Sequence, residues 1–254
     1  MKLRVLGCSG GIGGNLRTTS MLLDQDVLID AGTGVGDLSL AEMLMIDHVF
    51  VTHSHLDHIA CIPLLVDSVG FMRDKPLLVH ATAETIEILK QHIFNWKIWP
   101  DFSEIPNAAQ ACLRYETIAL GQTVNLGGRM ITPLPVDHVV PAVGFHLDSG
   151  EGSLVYSGDT CSCDALWEAV NRIDNLRYIL VETAFSNVER DLALRSKHLC
   201  PSVLAKDLAK LNRDAEIFIT HLKPGEVEIT MQEIRESVVG YLPRMLQNGQ
   251  VFEF

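Results

Sequence analysis

The sequence predicts an α/β protein in which two β-sheets pack together with helices on their outer faces. Three observations carry this. The first half alternates strand and helix, as in the strand Leu77 to Val79 followed by a helix over Glu84 to Phe94. From Tyr115 to Tyr156 the pattern changes to short strands broken by turns at Gly121, Gly127-Gly128 and Asp148-Ser149-Gly150. The last third returns to alternation, with helices near Ala165 to Val170, Val203 to Leu211 and Thr230 to Val238, and strands at Tyr178 to Val181 and Ile217 to Thr220. A chain of 254 residues falls within the range of one such domain. With no repeat, low-complexity segment or linker, residues 1–254 are expected to form a single domain.

Taken in order, Leu3 to Leu6 is a strand that ends in the glycine-rich Gly7-Cys8-Ser9-Gly10-Gly11-Ile12-Gly13-Gly14. A dinucleotide or phosphate-binding loop would need a following helix or a Gly-Lys-Ser/Thr ending, and neither is present. These glycines are expected to let a loop pass close to a site. A strand over Thr18 to Leu23, a turn at Asp24-Gln25-Asp26 and a strand ending Ile29-Asp30-Ala31-Gly32 come next. A short helix around Asp37 to Met45 leads to the strand His48 to Val51, and residues 56–72 are helical or loop-like. Asn95 to Asn107 is aromatic and irregular, and reads as a lid, a substrate wall or a dimer contact.

Composition narrows the function. An apolar content of 47% and a mean hydropathy of +0.19 foretell a substantial core, while no apolar run reaches the ~18–20 residues of a membrane span. Only seven residues precede Cys8, too few for a secretory leader with an apolar stretch of ~7–15. Six scattered cysteines (8, 61, 112, 161, 163, 200) suit reduced thiols in the cytoplasm. Net charge −12, with 20 basic against 32 acidic residues, repels polyanions and argues against a nucleic-acid partner.

The densest chemistry is Thr52-His53-Ser54-His55-Leu56-Asp57-His58, directly after an apolar strand. At an extended strand end His53 and His55 point the same way. As the chain turns, Asp57 and His58 swing to the other side, so one segment can serve two adjacent metal ions. A solvated polar loop would account for a lone His-x-His, but not for this density of ligands. Further ligands would have to come from other strand ends. His138 follows Met130 to Val136, Asp159 follows Leu154 to Ser157, and His221 follows Ile217 to Thr220. Strand ends are where α/β folds place site residues.

His53-Ser54-His55-Leu56-Asp57-His58, His138, Ser157-Gly158-Asp159-Thr160 and His221 resemble, in order, the metal motifs of the metallo-β-lactamase superfamily, and the resemblance spans nearly the whole chain. It implies an αββα sandwich of two mixed sheets with the site at one edge. It also implies two divalent cations, zinc by ligand type with manganese or iron as alternatives. Carried over by position, His53, His55 and His138 would hold one ion and Asp57, His58 and His221 the other, with Asp159 and a hydroxide bridging both.

Glu182 in Val181-Glu182-Thr183-Ala184-Phe185 and His198 in Lys197-His198-Leu199 are similar to the Glu–His couple of the phosphodiesterase branch. That branch is shared by RNase Z-type enzymes and class II cyclic nucleotide phosphodiesterases. The resemblance makes Asp57, Glu182 and His198 catalytic, the imidazolium stabilising phosphorane charge or protonating the leaving oxygen. His53-Ser54-His55-Leu56-Asp57-His58-Ile59 followed by the apolar Ile62 to Ser68, Glu182-Thr183-Ala184-Phe185-Ser186-Asn187, Lys197-His198-Leu199-Cys200-Pro201 and Thr220-His221-Leu222-Lys223-Pro224 look like the cyclic nucleotide signature. Ala60-Cys61 and Ala184 depart from it. RNase Z-type enzymes carry a tRNA-gripping arm between the ligands equivalent to His138 and Asp159, where this chain has only about twenty residues.

The expected substrate is therefore a small phosphodiester, a 3′,5′-cyclic nucleotide (cAMP or cGMP) opened to its 5′-monophosphate, with Phe or Trp from residues 94–102 stacking the base. The alternatives are an RNase Z-like tRNA 3′-processing endonuclease and a non-catalytic metal-binding protein on the same fold. The resemblance also implies a homodimer.

Overall fold

The computed structural model describes all residues 1–254. The amino-terminal half supplies β1 (Lys2–Gly7), β2 (Ser20–Leu23), β3 (Val27–Ala31), β4 (His48–Phe50), β5 (Leu77–Ala81) and β6 (Leu113–Thr117). The second half supplies β7 (Val124–Leu126), β8 (Arg129–Pro135), β9 (Val143–Asp148), β10 (Ser153–Tyr156), β11 (Leu176–Glu182), β12 (Glu216–Thr220), β13 (Arg244–Met245) and β14 (Val251–Glu253). The helices are α1 (Leu40–Met45), α2 (Leu56–Ile59), α3 (Cys61–Val69), α4 (Ala83–His92), α5 (Asp164–Val170), α6 (Arg190–Arg195), α7 (Pro201–Leu208) and α8 (Val227–Ser237).

Two mixed seven-stranded sheets result, in the orders β14-β1-β2-β3-β4-β5-β6 and β13-β12-β11-β10-β9-β8-β7. Their facing surfaces meet through Val5, Met21, Ile29, Phe50, Phe145, Leu154 and Leu180 among others. The outer face of the first sheet is covered by Ile62, Leu65 and Val66 of α3 and Leu89 of α4. That of the second is covered by Trp167 of α5, Leu204 of α7 and Ile234 of α8. This is the expected αββα sandwich. Strands buried on both faces need near-continuous apolar runs, and β2 (SMLL) and β10 (SLVY) are buried at every position.

Strand direction fixes where chemistry can gather. β3, β4, β5 and β6 run parallel, as do β10, β11 and β12. β8 is antiparallel to β9 and β9 to β10, so β8 ends at the same edge as β10. The carboxyl ends of β3, β4, β8, β10, β11 and β12 therefore share one rim of the sandwich.

Two local devices shape that rim. Met21 pairs with Ile29 and Ser20 with Ala31, so Asp30 is an extra, bulged residue, and its φ is +56°. A bulge re-aims a side chain, and here it turns Asp30 out of the strand alternation toward the histidine segment. Gly10 lies so close to the segment that follows β12 that an added Cβ would sit 2.4 Å from the His221 carbonyl oxygen. That agrees with glycines admitting a loop beside a site.

One expectation fails. Residues 94–107 do not reach the rim. Leu113 bonds back to Phe102 and Cys112 to Ile105, and Cys112 in turn receives the amide of Leu77. The segment thus lies at the starts of β5 and β6, the edge opposite the ligands. Phe94 and Phe102 are core residues, and of the segment's large apolar side chains only Trp96 and Ile98 are exposed. Because α4 runs antiparallel to the strand before it, the chain leaving α4 must emerge at the far edge, so these aromatics cannot stack a substrate base.

Candidate metal centre

The structure brings the seven predicted ligand residues into two groups sharing one member. His53, His55, His138 and Asp159 present ligand atoms within 4.8 Å of one another, and so do Asp57, His58, Asp159 and His221. Asp159 lies between them: one oxygen is 3.6 Å from His53 Nε2 and 3.4 Å from His58 Nε2, the other 3.3 Å from His221 Nδ1. His138 Nε2 faces His55 Nδ1 at 3.2 Å.

The ring atoms pointing away from this centre are tied down. His53 Nδ1 meets Thr52 Oγ1 at 3.0 Å, His138 Nδ1 meets the Lys197 carbonyl at 3.0 Å, and His58 Nδ1 meets Asp30 Oδ2 at 2.7 Å. Such outer contacts set which ring nitrogen stays bare. Asp30, fully buried, also accepts from the Thr52 amide and hydroxyl and from the Tyr156 hydroxyl. Sequence reasoning gave Asp30 no role. The available signal was an acid closing an apolar strand immediately before Ala31-Gly32.

The donor set fits divalent cations. His53 Nε2, His58 Nε2, Asp159 Oδ1 and His221 Nδ1 are buried with no hydrogen-bond partner, a costly arrangement unless something else satisfies them. Imidazole and carboxylate together suit zinc-like borderline ions. Burial is the main force holding His53 and His55 below the ordinary histidine range, His138 at about 4 and His221 at about 3. Those rings keep the lone pairs a metal needs. Burial also opposes charge on His58, yet Asp159 and Asp30 outweigh it and raise its value.

Beside the centre, Glu182 and His198 meet at 2.8 Å, Oε1 to Nδ1. The fully buried Glu182 carboxylate also accepts the amides of Thr160, Ala184 and Leu199. The His198 ring stacks on His221 with centroids 5.3 Å apart and lies 5.0 Å from His138. Burial disfavours its charged form, but the Glu182 charge and hydrogen bond prevail and raise its value. Glu182 is raised as well, by burial against the pull of His198. None of the six cysteines is disulfide-bonded, and no helix is long and apolar enough to cross a membrane.

Comparison with known proteins agrees with this geometry. The profile of the beta-lactamase superfamily domain matches residues 25–222. The chain belongs to that family, and its fold is the metallo-β-lactamase fold. A probable 3′,5′-cyclic-nucleotide phosphodiesterase of Yersinia pestis is 26% identical over 78% of this chain and 62% of its own length. A 3′,5′-cyclic-nucleotide phosphodiesterase of Aliivibrio fischeri is 26% identical over 86% of this chain and 80% of its own length. A ribonuclease Z of Pyrobaculum islandicum is 25% identical over 87% of this chain and 86% of its own length. Among solved structures, unliganded yeast PDE1 superposes with a TM-score of 0.81 at 17% identity, covering 98% of both chains. The metallo-beta-lactamase fold protein YhfI of Bacillus subtilis gives 0.77 at 20% identity, covering 99% of this chain and 98% of its own.

Proposed function

We propose that this protein is a dinuclear-metal phosphodiesterase whose substrate is a 3′,5′-cyclic nucleotide, opened to the nucleoside 5′-monophosphate. The observation that carries this reading is the buried Glu182–His198 pair stacked against the two ligand groups. Metal binding alone has no use for it.

In this reading His53, His55 and His138 hold one ion, Asp57, His58 and His221 the other, and Asp159 both. The ions are zinc, with manganese or iron as substitutes. When bound, they polarise the phosphoryl oxygens and acidify water. Glu182 orients the His198 ring through Nδ1, which leaves Nε2 for the substrate. His198, as the imidazolium, gives its proton to the departing O3′ as the P–O3′ bond breaks and the water oxygen bonds to phosphorus. Asp57, with 28% of its side chain exposed, takes the proton that water loses.

The names of the two cyclic-nucleotide relatives support the substrate class. A second reading, an RNase Z-like tRNA 3′-processing endonuclease, draws on the Pyrobaculum relative. Against it, the interval between His138 and Asp159 is filled by the β9–β10 pair, which leaves no length for an arm. Lys197 and Lys223, adjacent in sequence to His198 and two residues past His221, are engaged by Asp137 and the Gly10 carbonyl. The proposal includes one domain, a cytoplasmic location and a homodimer. A mobility-shift titration with tRNA at physiological salt beside hydrolysis of cyclic AMP tests it. Turnover without a shift is expected, and cleavage of tRNA with inert cyclic AMP would reverse the order of the readings.

A further inference from the structure

A cavity of about 830 Å³ opens against His138 at the same rim. Its walls come from the turn between β5 and α4, the chain after β6, and the loop between β8 and β9. Another cavity of about 820 Å³, between α8 and β13, contains none of the candidate ligands. The volume beside His138 is that of a small-molecule site.

Its lining has a particular chemistry. Leu120 and Val139 are 58% and 49% exposed, so two aliphatic side chains stand in water next to a polar centre. Thr82 and Thr117 add hydroxyls, and no Lys or Arg is among the lining residues. Of the two carboxylates, Asp137 is paired with Lys197 at 2.7 Å. Glu84, exposed in the first turn of α4, faces no base there. A second phosphate would meet the Glu84 charge uncompensated, which disfavours it. A flat, uncharged group with N–H donors gains an apolar bed and an acceptor.

We infer that this cavity receives the nucleoside end of the substrate, with Glu84 as a specificity-determining acceptor for base N–H groups. The inference rests on the phosphodiesterase reading above for its phosphate end. It selects diesters with one charged phosphate and an uncharged nucleoside body over oligonucleotides, whose next phosphate would fall on Glu84. It also relocates base recognition from the aromatic segment to an aliphatic shelf.

Two measurements test it. Adenosine, which has no phosphate, should give saturation-transfer NMR contacts with the wild-type protein, and Leu120→Glu and Glu84→Lys should each weaken them. With the metal-loaded protein, Glu84→Lys should lower kcat/KM for adenosine 5′-(4-nitrophenyl phosphate) about tenfold more than for methyl 4-nitrophenyl phosphate, while Glu84→Gln loses less. Both esters carry the same scissile bond. Parallel changes in the two esters, or adenosine contacts that are absent or indifferent to both substitutions, would overturn the assignment. If neither ester turns over, the phosphodiesterase reading fails and the adenosine contacts still decide the cavity.

Discussion

The carboxylate of Asp30 lies 2.7 Å from Nδ1 of His58, and both side chains are sealed from solvent. A carboxylate oxygen accepts here, so Nδ1 donates to Asp30 and Nε2 is the ring nitrogen turned toward Asp159. The bulge at Asp30 thus orients the ring of a candidate ligand on a different element. Asp30→Ala removes the acceptor for His58, for the Thr52 amide and hydroxyl, and for Tyr156. Metal affinity should fall about 10–100-fold, and stability by at least about 1–3 kcal/mol for the groups left unpaired. Metal titration calorimetry and denaturant unfolding read the two effects, and an unchanged affinity would deny Asp30 its orienting role.

Removal of His198 separates catalysis from metal binding. His198→Ala should retain both ions and lose about 10²–10⁴-fold in kcat. Elemental analysis beside kinetics checks this, and loss of an ion from the variant would make His198 a ligand instead.

Asp159 stands in both ligand groups, so Asp159→Ala should release metal and activity together. A variant that remained active with two ions per chain would contradict the shared-ligand arrangement.

Gly10→Ala tests the glycine-rich loop. The new methyl would press on the His221 carbonyl at 2.4 Å and on its ring Cδ2 at 3.0 Å. Displacement of His221 should cost the ion of the Asp57–His58–Asp159–His221 group first. Elemental analysis should therefore show fewer than two ions per chain in the variant, and full stoichiometry would show that the loop yields.

In β5, outside the two ligand groups, His80 is buried against Phe50, and its Nε2 lies 2.9 Å from His48 Nδ1. Burial first, and then the neighbouring His48, press its value from 6.5 to about 4. Between those values the unfolded chain binds more protons than the folded one. Stability should therefore rise with pH through that window and fall on acidification. Urea midpoints at pH 7.5, 6 and 5 should converge for wild type and His80→Gln relative to neutral pH, since the variant lacks this slope. Identical slopes would contradict it.

The ligands could be read in the sequence because each follows a short apolar strand, and a strand's carboxyl end is a place visible in one dimension. His138, Asp159 and His221 each lie one to three residues beyond such an end. Asp30 escaped because a bulge depends on pairing register between β2 and β3, which no local pattern reveals. The aromatic segment misled for a related reason. Trp and Phe announce burial or binding, but only the direction of α4 says at which edge they emerge. β14 was missed as well, since Lys2 finds Glu253 across nearly the whole chain and its three residues carry no period.

The most direct test of the central claim is steady-state hydrolysis of cyclic AMP and cyclic GMP beside bis(4-nitrophenyl) phosphate, after loading with zinc or manganese. A kcat/KM of ~10⁴ M⁻¹s⁻¹ or above is expected for a cyclic nucleotide, with the 5′-monophosphate as product. A chain that held two ions and hydrolysed none of the three would contradict it and leave a metal-binding protein on this fold.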